Sequence, residues 1–400
     1  MGKKKGIEWC DSTWSPIRAQ VKKDAARIAQ AKGYTSLVEI ADRMAGRVGQ
    51  HCEHVSPGCE HCFAETNNHR CLPANGTGLP YDRRSRDLIE AFMDEKALSW
   101  PMKCGTMPNY TREGVRTEDR PRHIFVESQS DLFGEWVTDE MLDQVFAAMA
   151  LCPQHIFQVL TKRPERRLDY LRAAERRVGE MTFVNALRGY SLGKVDPESI
   201  RDPQNRQWPL PNVWQGVSVE NQQIADERIE PLLRTPAAAR FISIEPMLGP
   251  INLGWIGCEC DTADAWDGAI DALRGKTWIE KWNNADGSER TRVECQTIPK
   301  LDWVICGGES GHGARPMHPD WARGLRDQCK AAGVPFFMKQ WGEWEPQNQS
   351  PGDTGFGSSI MHWGSEYSNS DCRVSFKVGK HKSGALLDGV EHKYFPEVSR

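Results

Sequence analysis

The chain has 400 residues, 26% of them charged and 39% hydrophobic, with a formal net charge of −4 and 13 cysteines. No apolar run approaches the roughly 18 residues of a membrane span, and the acidic balance argues against a protein that coats nucleic acid non-specifically. The basic start, Met1-Gly2-Lys3-Lys4-Lys5-Gly6, leads into no hydrophobic signal segment, so a cytoplasmic location is expected, where free thiols and metal ligands are commoner than disulfides.

Short apolar runs alternate with helical patterns. Residues 6–9 read as a first strand, followed by a polar, partly helical stretch over 17–50. A loop with three cysteines then leads into a helix over 60–70, and a polar stretch fills 72–120. Strands are expected at 123–126, 155–160, 213–219, 240–244, 303–306 and 335–338, rich in β-branched and aromatic residues and too continuously apolar to be half-exposed. Helices are expected between them at 138–151, 164–174, 225–233 and 319–332. The first of these begins with Thr138 as a cap, and the last ends at Gly333. Strand–helix alternation of this kind specifies a parallel α/β fold, here a partial (β/α)6-type barrel. The polar stretches at 17–50, 72–120, 178–212 and 254–300 are read as insertions on a single domain spanning 1–400, with 345–400 as a C-terminal extension.

Polar residues collect where each strand ends. They are Glu127-Ser128-Gln129-Ser130-Asp131, Thr161-Lys162-Arg163, Ser218-Val219-Glu220-Asn221, Glu245-Pro246, Gly307-Gly308-Glu309-Ser310-Gly311 and Lys339-Gln340-Trp341-Gly342. In a parallel α/β fold the C-terminal strand ends share one face, and that face carries the active site. Each cluster alone has a plain structural explanation as a cap or turn; six in succession point to an enzyme.

Cys52, Cys59 and Cys62 form a C-x6-C-x2-C triplet with no matching pair elsewhere. Three thiolates leave one coordination position open. A zinc ion could close its shell with His51, His54, His61, His69 or Cys71, which would make the site structural. A [4Fe-4S] cluster would instead keep one iron free for a substrate or cofactor such as S-adenosyl-L-methionine. The position of the loop, between the first strand and first helix on the expected active face, favours the cluster. Cys152, Cys306 and Cys329 lie in apolar patterns and read as core residues. Cys258, Cys260 and Cys295 lie in a polar segment whose spacing matches no standard ligand set.

Taken together, Ile7-Glu8-Trp9 with Thr13-Trp14, the Val55-Ser56-Pro57-Gly58-Cys59 loop, Ser130-Asp131-Leu132-Phe133, Gln158-Val159-Leu160-Thr161-Lys162-Arg163-Pro164, Gly216-Val217-Ser218-Val219-Glu220-Asn221 and Ser243-Ile244-Glu245-Pro246 carry a resemblance, as do the two clusters from Gly307 and Lys339. The chain resembles a phage-encoded radical-SAM-like family over most of residues 6–344, and more weakly through Leu386-Leu387-Asp388-Gly389. The resemblance implies a radical SAM barrel. It implies a [4Fe-4S] cluster on Cys52, Cys59 and Cys62, with S-adenosyl-L-methionine on the open iron. Phe63, Ser128, Ser130, Asp131, Thr161, Ser218, Glu220, Asn221, Gly307, Gly308 and Glu309 are the expected cofactor-binding residues. Lys162, Glu245 and Lys339 are the expected catalytic residues, with Arg163 a further cation for a substrate carboxylate.

The resemblance also implies a role in phage DNA hypermodification: isomerisation of a glycyl-modified thymine in DNA or its nucleotide, in the host cytoplasm, with electrons from a flavodoxin- or ferredoxin-type reductant. A radical lyase or repair enzyme on nucleic acid, and a non-catalytic zinc-stabilised nucleic-acid-binding protein, are the alternatives. The x6 gap departs from the usual radical SAM C-x3-C-x2-C, and Cys10 and Phe63 stand where relatives often carry Thr and Tyr.

Overall fold

In the computed structural model, residues 7–70, 76–109, 116–179, 207–257, 269–282, 290–347, 349, 359–367 and 370–397 are described. The fold is mixed α/β, built on a curled parallel sheet of seven strands, a half-barrel. The strands run β1 (Ser12–Trp14), β2 (Arg122–Val126), β3 (His155–Thr161), β4 (Val213–Ser218), β5 (Ala239–Ile244), β6 (Trp303–Gly307) and β7 (Phe336–Gln340), neighbouring one another in that order. Every residue of β4, β6 and β7 is buried, as expected of parallel strands covered on both faces.

Six of the seven strands fall where the apolar runs placed them, and the first does not. Residues 7–10 form a turn, and the strand is Ser12-Thr13-Trp14, paired with Ile124, Phe125 and Val126. The Ile7-Glu8-Trp9 alternation is explained by Trp9, which is 2% exposed and packs its ring 4.6 Å from that of Phe125 without joining the ladder. The sheet has seven strands, the number that the apolar runs gave.

Residue contacts divide the chain into two compact units. The first comprises Met1–Val55, Cys62–Gln215 and Pro236–Ala238. Its core joins Trp14, Ile124, Val126, Phe133, Phe146, Phe157 and Val159. Helix α1 (Phe63–His69) follows the cysteine loop. Helix α2 (Asp139–Ala150) is capped by Thr138, whose hydroxyl accepts from the Met141 N–H, and α3 (Pro164–Gly179) starts at its proline.

The stretch 17–50, expected to be partly helical, also contributes strands. Ile17–Val21 pairs antiparallel with Val48–Gly49 and Ile89–Met93. Its burial alternates strictly, so the signal was present as period-two patterning.

The second unit comprises Ser56–His61, Gly216–Thr235 and Ala239–Arg400. Its core joins Val217, Ile229, Ile242, Val304, Cys306, Leu325, Met338 and Trp341. Helix α4 (Gln222–Arg234) is capped by Asn221, and α5 (Pro319–Ala332) ends at Gly333 in the left-handed conformation, φ 68°, as its sequence specified. A three-stranded antiparallel sheet of Trp344–Pro346, Val374–Lys377 and Ile360–His362 lies in the C-terminal extension.

Cys152, Cys306 and Cys329 are fully buried, and burial pushes the thiols of Cys152 and Cys329 up to about 12, consistent with core residues. Cys71, Cys258 and Cys260, the side chain of Cys295, and most of 178–212 lie outside the described residues. No described helix is long and apolar enough to cross a membrane.

Candidate functional site

In the first unit the polar strand ends form one connected network. Asp131 is 5% exposed and sits at its centre. Its carboxylate accepts from Thr161 Oγ1 at 2.7 Å, the Lys162 N–H at 3.0 Å, Arg163 Nη1 at 3.0 Å and the Phe133 N–H at 3.0 Å. One buried carboxylate thus ties the loop after β2 to the loop after β3. Ser130 donates to the His51 carbonyl at 2.6 Å, bringing the start of the cysteine loop to the same strand end. Ser128 is half-buried beside it.

Arg163 continues the network. Its guanidinium lies 3.8 Å from Glu53, 5.2 Å over the Trp136 ring, and within electrostatic range of Cys52. Burial alone would lower its pKa, but Asp131 and Cys52 more than reverse that. Glu53 takes a two-pronged contact from Arg86, 2.6 Å at each oxygen. Burial opposes its ionisation, yet the Arg86 fork and His51 hold it down at about 2. Arg163 is therefore committed to neighbouring carboxylates, whereas sequence patterning had offered it to a substrate. Tyr81 is 1% exposed and donates to the Gln129 carbonyl; burial, then Cys52 and Cys62, push its hydroxyl far up.

Two of the zinc candidates, His54 and His69, are engaged by one carboxylate. His54 lies 2.7 Å from Glu65 and His69 lies 3.5 Å from the same carboxylate, while Glu65 also accepts from the Tyr81 N–H. His51 is 1% exposed, and burial lowers its pKa. Among the described residues, no group of three or more His, Cys, Asp and Glu side chains is placed to hold a metal ion. Phe63 begins α1 and is 51% exposed.

In the second unit the middle of the cysteine loop is fastened at two points. Ser56 donates to Glu220 at 2.8 Å, and Glu220 is fully buried at the end of β4, with Arg228 at 3.5 Å. Gly58 lies so close above it that an added Cβ would stand 2.6 Å from the Glu220 carboxylate. The second point is Arg315, which grips Glu309 through its backbone N–H, Nε and Nη2, then reaches the Pro57 carbonyl and Glu60 at 2.9 Å each. Cys59 is 6% exposed, with its sulfur 3.8 Å from the Ser56 hydroxyl.

Glu245 and Lys339, expected to be catalytic, form an ion pair with each other, and Gln340 donates to the same Glu245 oxygen at 3.2 Å. The register of β6 against β7 shifts between Cys306 and Gly307, a local irregularity of the kind that re-aims side chains at strand ends. Gly307 abuts Lys339 and Glu245, and Gly308 packs on the Trp341 carbonyl with no room for a side chain. Asn221 spends its side chain capping α4, and Ser218 lends its carbonyl to Arg228.

Sequence patterning missed Arg315, Glu53 and Arg86; Arg86 reaches Glu53 across 33 positions, and Arg315 reaches Pro57 across 258. It named Glu127 only as part of a cluster. That residue is 2% exposed with φ 53°, accepts from the Ile17 N–H at 3.0 Å, and is raised by burial to about 8.

Fold and site together define a mixed α/β protein whose strand ends carry buried, paired charges and whose cysteine loop is fastened to them. The chain belongs to the family described as protein of unknown function (DUF5131), whose model matches residues 40–396. No curated protein and no solved structure matches it.

Proposed function

We propose that the protein is a radical SAM enzyme of phage DNA hypermodification that isomerises a glycyl-modified thymine. The single observation behind this reading is the cysteine loop: three thiols free of disulfides, the segment between them held by Glu220 after β4 and by Arg315. The donor set suits an iron–sulfur cluster by its chemistry, since three thiols bind three irons. Cys52, Cys59 and Cys62 would hold the [4Fe-4S] cluster. Bound with S-adenosyl-L-methionine, that cluster supplies a carbon radical able to take hydrogen from an unactivated carbon.

The remaining chemistry falls to the chain. Moving the glycine from a C–N to a C–C bond with the thymine methylene has no easy acid–base route, so the residues position and exclude water. Lys339 offers a cation to the glycyl carboxylate, with Glu245 and Gln340 fixing its direction. Lys162, beside the Asp131–Thr161 network, is the second cation. Ser128, Ser130, Asp131, Thr161, Ser218, Glu220, Asn221, Gly307, Gly308 and Glu309 would serve the cofactor. The electrons come from a flavodoxin- or ferredoxin-type reductant.

The test is anaerobic purification followed by incubation of glycyl-thymine DNA with S-adenosyl-L-methionine and reductant. A brown protein, release of 5′-deoxyadenosine and a mass-neutral change in the nucleoside profile are expected. A colourless protein carrying one zinc would end this reading, and a change in nucleoside mass would replace isomerase with lyase.

A further inference from the structure

The chain as a whole is acidic, yet between Arg373 and Ala385 it carries Lys377, Lys380, His381 and Lys382 and no Asp or Glu. His381 and Lys382 are exposed and Lys380 is half-exposed. None of these three makes an ion pair recorded among the described residues, in contrast to the arginines of α5, which Asp320, Asp371 and Asp388 neutralise. A solvated charge run is the ordinary explanation for such a segment, and its anchoring argues for more.

The basic turn is sewn to the residues that directly follow β7. The Val378 and Gly379 N–H groups both donate to the Glu343 carbonyl, at 3.0 and 3.1 Å. Ser383 donates its hydroxyl to the Gly342 carbonyl at 2.6 Å, and the Trp341 N–H donates to the Gly384 carbonyl at 3.0 Å. Lys377 lies 5.9 Å over the Trp344 ring. Positive φ at Gly379 and Gly384, 89° and 64°, bends the chain at both ends of the turn. Glu343 in turn donates its N–H to the Glu309 carbonyl at 2.9 Å, and its carboxylate is occupied by the Gly311 N–H at 3.0 Å. The turn is therefore held, through backbone hydrogen bonds, beside the strand-end residues Lys339 and Glu309.

We infer that the 377–382 turn is a phosphate-backbone clamp that seats duplex DNA at the strand-end site of the second unit, which makes the polymer, not the free nucleotide, the substrate form. Lysine ammoniums on flexible stems, set on a rigid turn, match a run of backbone phosphates and read no sequence. A concentrated local positive charge on an acidic protein gives a site-directed attraction that a uniformly basic surface would not. The inference rests on the nucleic-acid reading above.

The test is fluorescence anisotropy of the full-length protein with a short unmodified DNA duplex across a salt series. Wild type should bind with a steep log–log salt dependence. Lys380→Ala/Lys382→Ala should weaken binding several-fold or more at low salt and flatten that slope by about 2, close to one per lost phosphate contact. Lys380→Arg/Lys382→Arg should bind like wild type. Lys330→Ala, an exposed charge on α5, serves as the control for a surface lysine outside the turn.

An unchanged slope in the alanine variant, equal weakening in the arginine variant, or no duplex binding by wild type would overturn the clamp. Binding is read without turnover. A protein that lacks a cluster but shows the slope difference would refute the radical reading and leave the clamp standing.

Discussion

Ser56 donates its hydroxyl hydrogen to Glu220 across 2.8 Å, joining the middle of the cysteine loop to a fully buried carboxylate that lies 164 positions further along the chain. Buried carboxylates are costly unless hydrogen-bonded, so the pair secures both partners: the loop gains a seat and the carboxylate gains a donor.

Gly58 should be intolerant of even one methyl group. A Cβ there would lie 2.6 Å from a Glu220 oxygen that Ser56 already holds. Gly58→Ala should unseat the loop at a cost of roughly 1–3 kcal/mol. Limited proteolysis would report this as faster cleavage within 52–62. An unchanged cleavage pattern would mean that the loop is not held as described.

Replacing Cys52, Cys59 or Cys62 by Ala should each remove iron and visible colour from anaerobically prepared protein. Cys306→Ala should keep the colour but lower stability, because it opens space in a packed core. Iron and sulfide assays on the four variants check this. Retention of full iron content by any of the first three would remove that cysteine from the ligand set.

Asp131→Asn should be far more damaging than its size suggests. The carboxylate accepts from Thr161, Lys162, Arg163 and Phe133, and an amide would point hydrogens at donors. A loss of roughly 2–4 kcal/mol in denaturant unfolding is expected. A loss below about 1 kcal/mol would show that the network is slack.

Stability should depend on pH with opposite signs at two glutamates. Glu127 is raised from 4.5 to about 8, so between those values the folded protein keeps a proton that the unfolded chain has released. Stability should fall as pH rises through that window, and Glu127→Gln should flatten the fall by a few kcal/mol. Glu53 is lowered from 4.5 to about 2, so its contribution is complete above 4.5 and is lost as pH falls toward 2. Melting temperatures of Glu127→Gln and Glu53→Gln across pH separate these effects. Parallel curves for wild type and Glu127→Gln would contradict the raised value.

Lys339→Met should leave Glu245 without its ion-pair partner and raise KM for the glycyl substrate more than it lowers kcat, if the lysine meets the substrate carboxylate. Steady-state kinetics decide this. A pure loss of kcat would assign the lysine to the reacting centre instead.

What was legible in the sequence follows the range of the forces involved. Continuous apolar runs fixed β2 to β7 because burial on both faces leaves no alternation to misread. Thr138 and Gly333 marked helix ends because caps act within one turn. β1 was misplaced because Trp9 is buried by packing against Phe125, not by strand pairing. The strand-end clusters were visible as residue types, but their pairings were not. Asp131 with Arg163, Glu245 with Lys339, and Arg315 with Pro57 depend on register and loop closure, which no local pattern encodes.

The anchors of the cysteine loop also set an order of events. Ser56 waits for Glu220, and Pro57 and Glu60 wait for Arg315, 258 and 255 positions away. A growing chain emerges from its N-terminus, so all three cysteines leave the ribosome long before the residues that hold their loop. During synthesis the thiols are exposed and unsupported, open to oxidation or to capture of a stray metal. Seating of the cysteine loop is therefore a late step, completed only when the last third of the chain has arrived.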